Sequence, residues 1–236
     1  MSYIQGFVLA VPAANKDIYR DRATLAGPIF KKSGATRLIE NWADDVPHGT
    51  HTDLYRATKL EDGEVPLFSW VEFPDRATYQ EANRRMMEDP AMQDMPEMPF
   101  DGKRMIYGGF EALVDTGANG KPGYVDGMVS PVPIANKDAY RAAAEQQSLL
   151  PMEHGALRVV DAWGDDVPSG THTDFQRAVD ARDGENIGFS FIEWPSKQVR
   201  DAAWNVLMQD PRMAPNPEIW DAKRSIMGGF IPLLDI

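Results

Sequence analysis

Two histidines of the chain each stand two residues before an aspartate, in the same pentapeptide GTHTD. The first pair is His51 and Asp53, and the second pair is His172 and Asp174. Residues two apart on an extended strand point to the same face, so each imidazole would lie beside a carboxylate. That arrangement orients a general base or a metal ligand, and it makes these four residues the catalytic candidates. A solvated His–Asp pair on a surface strand is the alternative, and because the spacing fixes no third ligand we predict no metal site.

Two further pairs of acids, Asp44-Asp45 and Asp165-Asp166, stand directly after predicted strands and before Val-Pro. Neighbouring carboxylates can carry out acid–base chemistry when they share a proton, because one of the two pKa values is then raised. Aspartates before a proline more often form turns, in which their side chains bind nearby backbone amides. We therefore predict turns at both places.

Two arginines, Arg104 and Arg224, each follow a lysine where a strand is predicted to begin. Since alternate residues of a strand point to opposite faces, one member of each Lys-Arg pair should point inward. A buried guanidinium either binds an anionic group of a ligand or pairs with one of the chain's many acids. Pairing with an acid is the favoured interpretation, and ligand binding is the alternative.

Large aromatic residues recur at similar places along the chain, and Trp42, Trp163 and Trp70 are the most prominent. They predict either the wall of a pocket for a flat apolar molecule or part of the hydrophobic core. Asn83 is grouped with them as a binding candidate because the matching position in the second half of the chain is Trp204. If Asn83 lies in a pocket, the two halves are not equivalent.

These recurrences belong to a duplication that covers most of the chain. YIQGFVLAVPAANKDIYR begins at Tyr3, and YVDGMVSPVPIANKDAYR begins 121 positions later, at Tyr124. The same shift carries WADDVPHGTHTD onto WGDDVPSGTHTD. A period this long indicates two whole folding units and excludes a solenoid of short repeats. We predict a first module over residues 1–115, a Gly-rich linker over 116–123 and a second module over 124–236.

Each module shows the same order of predicted elements, which is strand, helix, strand, strand, helix, strand. Asn15 and Asn136 stand where a side chain would cap the first helix, and Pro74-Asp75 begins the second helix. This order is that of a ferredoxin-like α+β module, with an antiparallel sheet and both helices on one of its faces.

The other face of each predicted sheet is also apolar. In LFSW, Leu67 and Ser69 point to one side while Phe68 and Trp70 point to the other. An apolar face left in water costs about 25 cal/mol per Å², and a second module on the same chain can cover it. We predict that the two sheets pair within the chain as a dimeric α/β barrel with approximate two-fold symmetry, and a further homodimer stays open.

Composition narrows the classes of partner. The 236 residues carry a formal net charge of -12, which disfavours binding to nucleic acid or to anionic membrane surfaces. The sequence has no cysteine, so disulfides, thiol catalysis and cysteine-based zinc sites are excluded. With no signal region and no apolar stretch of membrane-spanning length, we expect a cytoplasmic protein.

The motifs YxxGFVxxVP, WxDDVPxGxxTD, FSWxExP, DPxM and FDGKRMIYGGFE together resemble the YbaA-like family of small bacterial proteins of uncharacterised function. The resemblance extends over nearly all of each module, and it implies a subunit of the dimeric α/β-barrel superfamily. Both modules depart from the family pattern at Thr50-His51 and Thr171-His172. The resemblance does not imply a reaction, since fold alone does not determine function.

Two functional hypotheses follow. The first is a small-molecule-binding protein or cofactor-independent enzyme, with a small apolar or aromatic ligand bound near the histidines and tryptophans. The second is a non-enzymatic stress-responsive binding or assembly protein. An enclosed pocket that holds a histidine beside an aromatic wall would favour the first hypothesis.

Overall fold

The computed structural model describes residues 2–236, which form one closed antiparallel barrel surrounded by helices. The eight strands, β1 to β8 in chain order, are Tyr3–Pro12, Arg37–Asp45, Glu64–Phe73, Ile106–Gly117, Tyr124–Pro133, Arg158–Asp166, Glu185–Trp194 and Ile226–Asp235. The seven α-helices, α1 to α7, are Lys16–Ser33, Leu54–Ala57, Arg76–Glu88, Pro90–Gln93, Lys137–Glu153, Phe175–Ala178 and Lys197–Leu207. In this part of the chain no helix combines the length and the apolar character that a membrane crossing requires.

Strand order confirms the fold class predicted from the sequence. The barrel runs β1-β3-β2-β8-β5-β7-β6-β4 and closes between β4 and β1. Each module contributes four neighbouring strands in the same order, and β2 pairs with β8 while β4 pairs with β6. The two sheets therefore join edge to edge into one α+β barrel with approximate two-fold symmetry. Strand β4 continues to Gly117, so it includes the first two residues of the predicted linker.

The inside of the barrel is filled by aromatic side chains from both modules. The rings of Phe68 and Phe189 stack with centroids 4.6 Å apart, and those of Trp70 and Phe191 stack at 3.9 Å. All four side chains are at most 1% exposed. The alternation predicted for LFSW is confirmed, because Phe68 and Trp70 join this central cluster while Leu67 packs in the cluster beneath α1. Stacked and edge-on ring contacts of this kind add to the stability gained by burial.

The beginnings of the long helices differ in part from the sequence prediction. Asp75 caps α3 as expected, and its side chain accepts a hydrogen bond from the backbone amide of Thr78. The predicted side-chain caps at Asn15 and Asn136 are wrong. Asn15 instead donates to the carbonyl oxygen of Pro99, and Asn136 donates to that of Ile219. Both asparagines therefore anchor the segment before the last strand of their own module, because a short 3-10 turn already leads the chain into the helix.

The paired aspartates connect the two modules, so the predicted turns are wrong. Asp44 and Asp45 are the last residues of β2, and Asp165 occupies the equivalent place in β6. Asp44 accepts a hydrogen bond of 2.9 Å from the hydroxyl of Tyr124, and Asp165 accepts one of 2.8 Å from the hydroxyl of Tyr3. Each carboxylate thus accepts a hydrogen bond from a tyrosine of the other module. The end of each strand is extended by pairing with the neighbouring module, which a sequence pattern within one module cannot reveal.

A buried network of charges crosses from one module to the other. Arg37 in β2 lies 2.6 Å from Glu193, and the equivalent Arg158 in β6 lies 2.7 Å from Glu72. The two glutamates and two arginines are at most 6% exposed at their side chains, and the opposite charges lie 3.6 Å apart in the remaining pairings. Each arginine also donates hydrogen bonds to an aspartate in the last strand of a module. For Arg37 this aspartate is Asp235. Because each arginine has two carboxylate partners, its five donors are largely used.

The layer between sheet and helices differs between the two modules. In the second module the carboxylate of Asp126 accepts hydrogen bonds from the indole nitrogens of Trp194 at 2.8 Å and Trp204 at 2.7 Å. Arg200 donates to the same carboxylate, whose pKa is raised by burial. The equivalent residues of the first module are Gln5, Phe73, Tyr79 and Asn83. Gln5 is 8% exposed, and its Oε1 has no hydrogen-bond partner among residues 2–236.

Candidate functional site

A cleft of about 370 Å³ lies where the short helices α2 and α6 meet across the two-fold axis. Both modules contribute equivalent side chains to it. The residues that line it are His51, Thr52, Arg56, Ala57, Lys59, Thr171, His172, Thr173, Arg177 and Asp180. The structure therefore brings both predicted histidines into one site, although they are far apart in sequence. The volume falls in the range of pockets that bind small molecules.

The aspartates of the GTHTD segments build the helices and do not pair with the neighbouring histidines. Asp53 caps α2 by accepting hydrogen bonds from the backbone amides of Arg56 at 2.8 Å and Gly49 at 3.2 Å. Asp174 caps α6 in the same way, with a bond of 2.7 Å from the amide of Arg177. The segments are loops and not strands, so the predicted His–Asp arrangement is wrong. An N-cap needs a side-chain acceptor at this position, and that requirement explains the aspartates.

The two histidines are exposed at the mouth of the cleft. Nδ1 of His172 lies 2.9 Å from the hydroxyl of Thr171, its neighbour in the chain. The imidazole that does approach Asp53 belongs to His48, whose Nδ1 lies 3.4 Å from the carboxylate. Among the described residues no tryptophan, phenylalanine or tyrosine lines the cleft, so its wall is polar, with Arg56, Lys59 and Arg177 as its basic side chains and Asp180 as its acidic one.

Two guanidinium groups face the cleft with unused donors. Nη1 of Arg56 binds the carbonyl oxygen of Gly49 at 2.8 Å, and Nη1 of Arg177 binds the carboxylate of Asp174 at 2.6 Å. Within the described residues, the Nε and Nη2 atoms of both arginines have no hydrogen-bond partner. Both side chains are more than half exposed. Since a guanidinium presents its donors in a fixed planar fork, these atoms are suited to a carboxylate or phosphate.

Arg104 and Arg224 lie behind the cleft and hold its backbone. Each donates two hydrogen bonds to a glutamate. For Arg104 the acceptor is Glu64, and both bonds are 2.7 Å long. Nη1 of Arg104 also binds the carbonyl oxygen of Lys59 at 2.9 Å, and Nη1 of Arg224 binds that of Asp180 at 2.9 Å. Pairing with an acid, the interpretation favoured from the sequence, is what the structure shows. The two arginines lie in short 3-10 turns before the last strand of each module and not at its beginning.

Lys59 and Asp180 occupy equivalent and unusual places in the cleft. Their φ angles are 50° and 48°, and within residues 2–236 they are the two non-glycine residues with positive φ. A left-handed backbone is costly for a lysine, and such conformations concentrate at functional sites. The hydrogen bonds from Arg104 and Arg224 to the carbonyl groups fix this backbone in place.

Thr52 and Thr173 occupy equivalent positions in the cleft but differ in their hydrogen bonds. The hydroxyl of Thr52 donates to the carbonyl oxygen of Ala178 at 2.8 Å, across the junction between the modules. The hydroxyl of Thr173 has no hydrogen-bond partner among the described residues, although the residue is only 5% exposed. A buried hydroxyl without a partner is costly, so Thr173 marks a place where a bound group can complete a hydrogen bond.

The predicted binding residues Trp42, Trp163, Trp70 and Asn83 lie elsewhere. The ammonium groups of Lys16 and Lys137 stand over the rings of Trp42 and Trp163, 5.1 Å and 5.5 Å from the ring centroids. Trp70 is inside the barrel, and Asn83 is half-buried on α3. The sequence interpretation missed Arg56, Arg177 and the threonines. A signal was present, because an arginine follows the aspartate of GTHTD by three residues in both modules.

A second cleft of about 250 Å³ lies beside the first, between the turn that holds Lys103 and the loop at 168–174. Thr171 and Thr173 line both clefts. In the part of the chain that the structure describes, no group of three or more His, Asp or Glu side chains is arranged to hold a metal ion.

Comparison with known proteins gives the family and the fold. A family model described as "Protein of unknown function (DUF1428)" matches residues 2–102 and again residues 123–222. The uncharacterized protein YbaA of Escherichia coli strain K12 is 53% identical over 116 residues, which are 49% of this chain and 99% of that protein. The YbaA protein of Shigella flexneri matches with the same identity and coverage.

A solved structure named anthrone oxidase-like protein aligns over 100% of this chain and 92% of its own, with a TM-score of 0.60 and 10% identity. A protein from Fusobacterium nucleatum aligns with a TM-score of 0.58 and 9% identity, over 99% of this chain and 93% of its own. These two structural likenesses support the barrel fold and no activity.

Proposed function

The chain belongs to the DUF1428 family, as its sequence motifs indicated, and from that premise we propose that it is a small-molecule-binding protein whose ligand carries an anionic group. The ligand would lie in the cleft between α2 and α6. The observation that carries the proposal is the convergence of two guanidinium groups with unused donors, from Arg56 and Arg177, in one cleft. The free hydroxyl of Thr173 supplies a further hydrogen bond there.

The electrostatic setting supports an anion at this place. Although the chain carries a net charge of -12, the side chains of Arg56, Arg177 and Lys59 bring three cations to the cleft. The carboxylates of Asp53 and Asp174 accept hydrogen bonds from backbone amides and also lie 3.3 Å and 2.6 Å from Nη1 of Arg56 and Arg177. A ligand would therefore bind the remaining Nε and Nη2 donors. A bidentate bond between a guanidinium and a carboxylate or phosphate is among the stronger interactions at a partly exposed site.

The ligand expected from the sequence was a flat apolar or aromatic molecule. Such a molecule would have to displace the stacked rings of Phe68, Phe189, Trp70 and Phe191 to enter the barrel. Protein interiors packed in this way transmit strain and resist insertion. This packing favours an anionic ligand at the polar cleft over an apolar ligand in the interior.

Titration calorimetry with inorganic phosphate and with acetate tests the proposal. We expect saturable binding by the native protein and a loss of at least about tenfold in affinity in the double variant Arg56→Ala/Arg177→Ala. The matched control is Arg84→Ala/Arg85→Ala, which removes two exposed arginines from α3, far from the cleft in the sequence. The proposal fails if neither anion binds, or if the cleft variant and the control bind equally well.

A cofactor-independent enzyme at the same cleft is the second candidate function. The observation in its favour is that His51 and His172 both line the site where the anion would be held. An imidazole there can accept or return a proton on a ligand that the arginines orient. Once a ligand is found, turnover followed by mass spectrometry separates the candidates: an enzyme loses turnover in His51→Ala/His172→Ala but keeps ligand affinity. Binding without turnover in the native protein leaves the non-enzymatic binding protein.

A further inference from the structure

The two sides of the cleft carry opposite charges at one equivalent position. Lys59 of the first module and Asp180 of the second have nearly the same backbone conformation, with φ angles of 50° and 48°. Their carbonyl groups are held by Arg104 and Arg224 at the same distance of 2.9 Å. The backbone therefore presents the two side chains in equivalent ways, and they differ in the sign of their charge.

Hydrogen bonding shows which groups share an end of the cleft. The hydroxyl of Thr52, just before α2, reaches the carbonyl oxygen of Ala178 at the last residue of α6. Thr52 thus lies at the end of the cleft where the chain continues from Ala178 to Asp180. By the approximate two-fold relation, Thr173 lies at the opposite end, where the chain continues from α2 to Lys59.

The two ends of the cleft are consequently suited to different chemical groups. At one end, the ammonium of Lys59 is accompanied by the buried, unpaired hydroxyl of Thr173, and both can donate to an anion. At the other end, the hydroxyl of Thr52 is already used, and the carboxylate of Asp180 can only accept. One guanidinium group lies near each end, because Arg56 bonds to the loop that holds Thr52 and Arg177 bonds to the loop that holds Thr173. The charge at position 59 or 180 is therefore what distinguishes the two ends.

We propose that the ligand of this cleft is a small zwitterion, with a carboxylate or phosphate group at the Lys59 end and an ammonium or other N–H donor at the Asp180 end. This inference rests on the proposed function, because it presupposes that the cleft binds an anionic group. A dianion would place its second charge near Asp180, and a dication would face Lys59 and both arginines. Like charges a few ångströms apart at a surface disfavour binding by about tenfold or more.

Three ligands with the same carbon chain separate these cases: γ-aminobutyrate, butyrate and succinate. They end in an ammonium, a methyl group and a second carboxylate, and β-alanine and δ-aminovalerate extend the series to other lengths. In calorimetry we expect the best ω-amino acid to bind about tenfold more tightly than its monocarboxylate, with the dicarboxylate weakest. In Asp180→Asn the advantage of the ammonium group should vanish while the affinity for butyrate is kept.

The charge exchange Asp180→Lys makes the two sides of the cleft alike. We expect it to reverse the order, so that succinate becomes the tightest ligand of the three. Thr173→Val should weaken γ-aminobutyrate and butyrate to the same extent, and Thr173→Ser should restore both, because the serine keeps the hydroxyl. Circular dichroism and urea unfolding of each variant establish that it is folded.

The outcomes distinguish this inference from the proposed function. If all three acids bind native protein with similar affinity and Arg56→Ala/Arg177→Ala abolishes them alike, the anion site stands and the zwitterion inference is overturned. An ammonium advantage that persists in Asp180→Asn also overturns it. If no acid and no phosphate binds the native protein, the proposed function fails and the inference fails with it.

Discussion

Nη1 of Arg37 in β2 lies 2.6 Å from Oε1 of Glu193 in β7, so a strand of each module contributes one half of a buried ion pair. The symmetry-related pair is Arg158 and Glu72. Desolvation of these charges is costly, and their mutual attraction offsets the cost only when both partners are present. The network therefore makes one relative arrangement of the modules much more favourable than others.

Arg37→Met should destabilise the protein strongly, because it leaves Glu193 buried with one close partner fewer. We expect a loss of about 3–5 kcal/mol in the free energy of unfolding, measured by urea denaturation. The double variant Arg37→Met/Glu193→Met should lose less than the single variant, since the buried Glu193 carboxylate is removed together with its partner and only the less buried Asp235 loses a donor. Arg84→Met, which removes two exposed ion pairs on α3, is the control and should not change the unfolding midpoint measurably. Equal effects of the single and double variants would contradict this account of the network.

Asp126→Leu and Gln5→Leu form a matched pair at equivalent positions of the two modules. The first change removes the acceptor for Trp194 and Trp204, and we expect it to cost about 2–4 kcal/mol of unfolding free energy. Gln5→Leu removes a buried amide oxygen that has no partner, and it should change stability by less than about 1 kcal/mol or increase it. Urea unfolding of both variants provides the measurement. If Gln5→Leu is as damaging as Asp126→Leu, Gln5 has a role that its hydrogen bonding does not show.

Arg104→Met should affect both the stability of the protein and its cleft. It removes the partner of the buried Glu64, for a loss of about 2–4 kcal/mol, and it frees the carbonyl of Lys59. Hydrogen bonding by Arg104 also holds the pKa of Glu64 below its usual value, so that the variant should raise it. Arg84→Met is the control, because that arginine is exposed on α3 and lines neither cleft. Calorimetry with phosphate should show weaker binding in the folded Arg104→Met protein and unchanged binding in the control. Unchanged binding in both would mean that the Lys59 backbone does not depend on Arg104.

Asp161→Asn should alter how stability depends on pH. Burial raises the pKa of Asp161 in the folded state, where Tyr140 and Ser190 donate hydrogen bonds to it. A raised folded pKa gives a contribution to stability that is complete below the unfolded pKa, near 4, and is lost as pH rises through the folded pKa. The variant lacks this loss, so its stability relative to the native protein should increase from about pH 4 upward.

Asp44→Asn supplies the control of opposite sign. A hydrogen bond from Lys197 lowers the pKa of Asp44, so its contribution is present at neutral pH and is lost as pH falls through that lowered pKa. Urea unfolding at a series of pH values should therefore show opposite trends for the two variants relative to the native protein. Parallel trends would exclude titration of these two carboxyls as the cause.

Gly127→Ala tests the packing of the barrel interior. A methyl group at this position would lie 2.7 Å from ring atoms of Phe68, which belongs to the other module. We expect a loss of about 1–3 kcal/mol of unfolding free energy, because the stacked rings leave no room to adjust. Gly102→Ala is the control: no atom lies within 4 Å of the added carbon, and the change should be neutral or slightly stabilising. Equal stability of both variants would show that the interior can relax.

The fold could be predicted because the sequence pattern of one module occurs twice in the chain. The shift of 121 residues from Tyr3 to Tyr124 aligned all but the last strand of each module, which aligns at a shift of 120. The alternation at Phe68 and Trp70 indicated a second apolar face that needs a cover. The ends of the strands could not be predicted in the same way. The sequence predicts turns at Asp44 and Asp165 within their own modules. Pairing with a strand of the other module extends β2 and β6 through these residues, and a tyrosine of that module donates to each carboxylate.

The candidate site was predicted only in part. His51 and His172 both line the cleft, but the partner assigned to each is an aspartate that caps a helix instead. The cleft exists because α2 and α6 meet across the axis, and no local spacing expresses that meeting. The sequence also could not predict that the hydroxyl of Thr173 lacks a hydrogen-bond partner, since Thr52 in the identical pentapeptide has one.

Joining both modules in one polypeptide has a consequence for how this cleft could evolve. In an assembly of two identical single-module chains, every substitution on the axis appears on both sides, so a lysine must always face a lysine. In the joined chain each position mutates alone, and Lys59 can face Asp180. Duplication within one gene thus allows the two sides of the cleft to differ in charge, which two identical chains related by an exact two-fold axis cannot do.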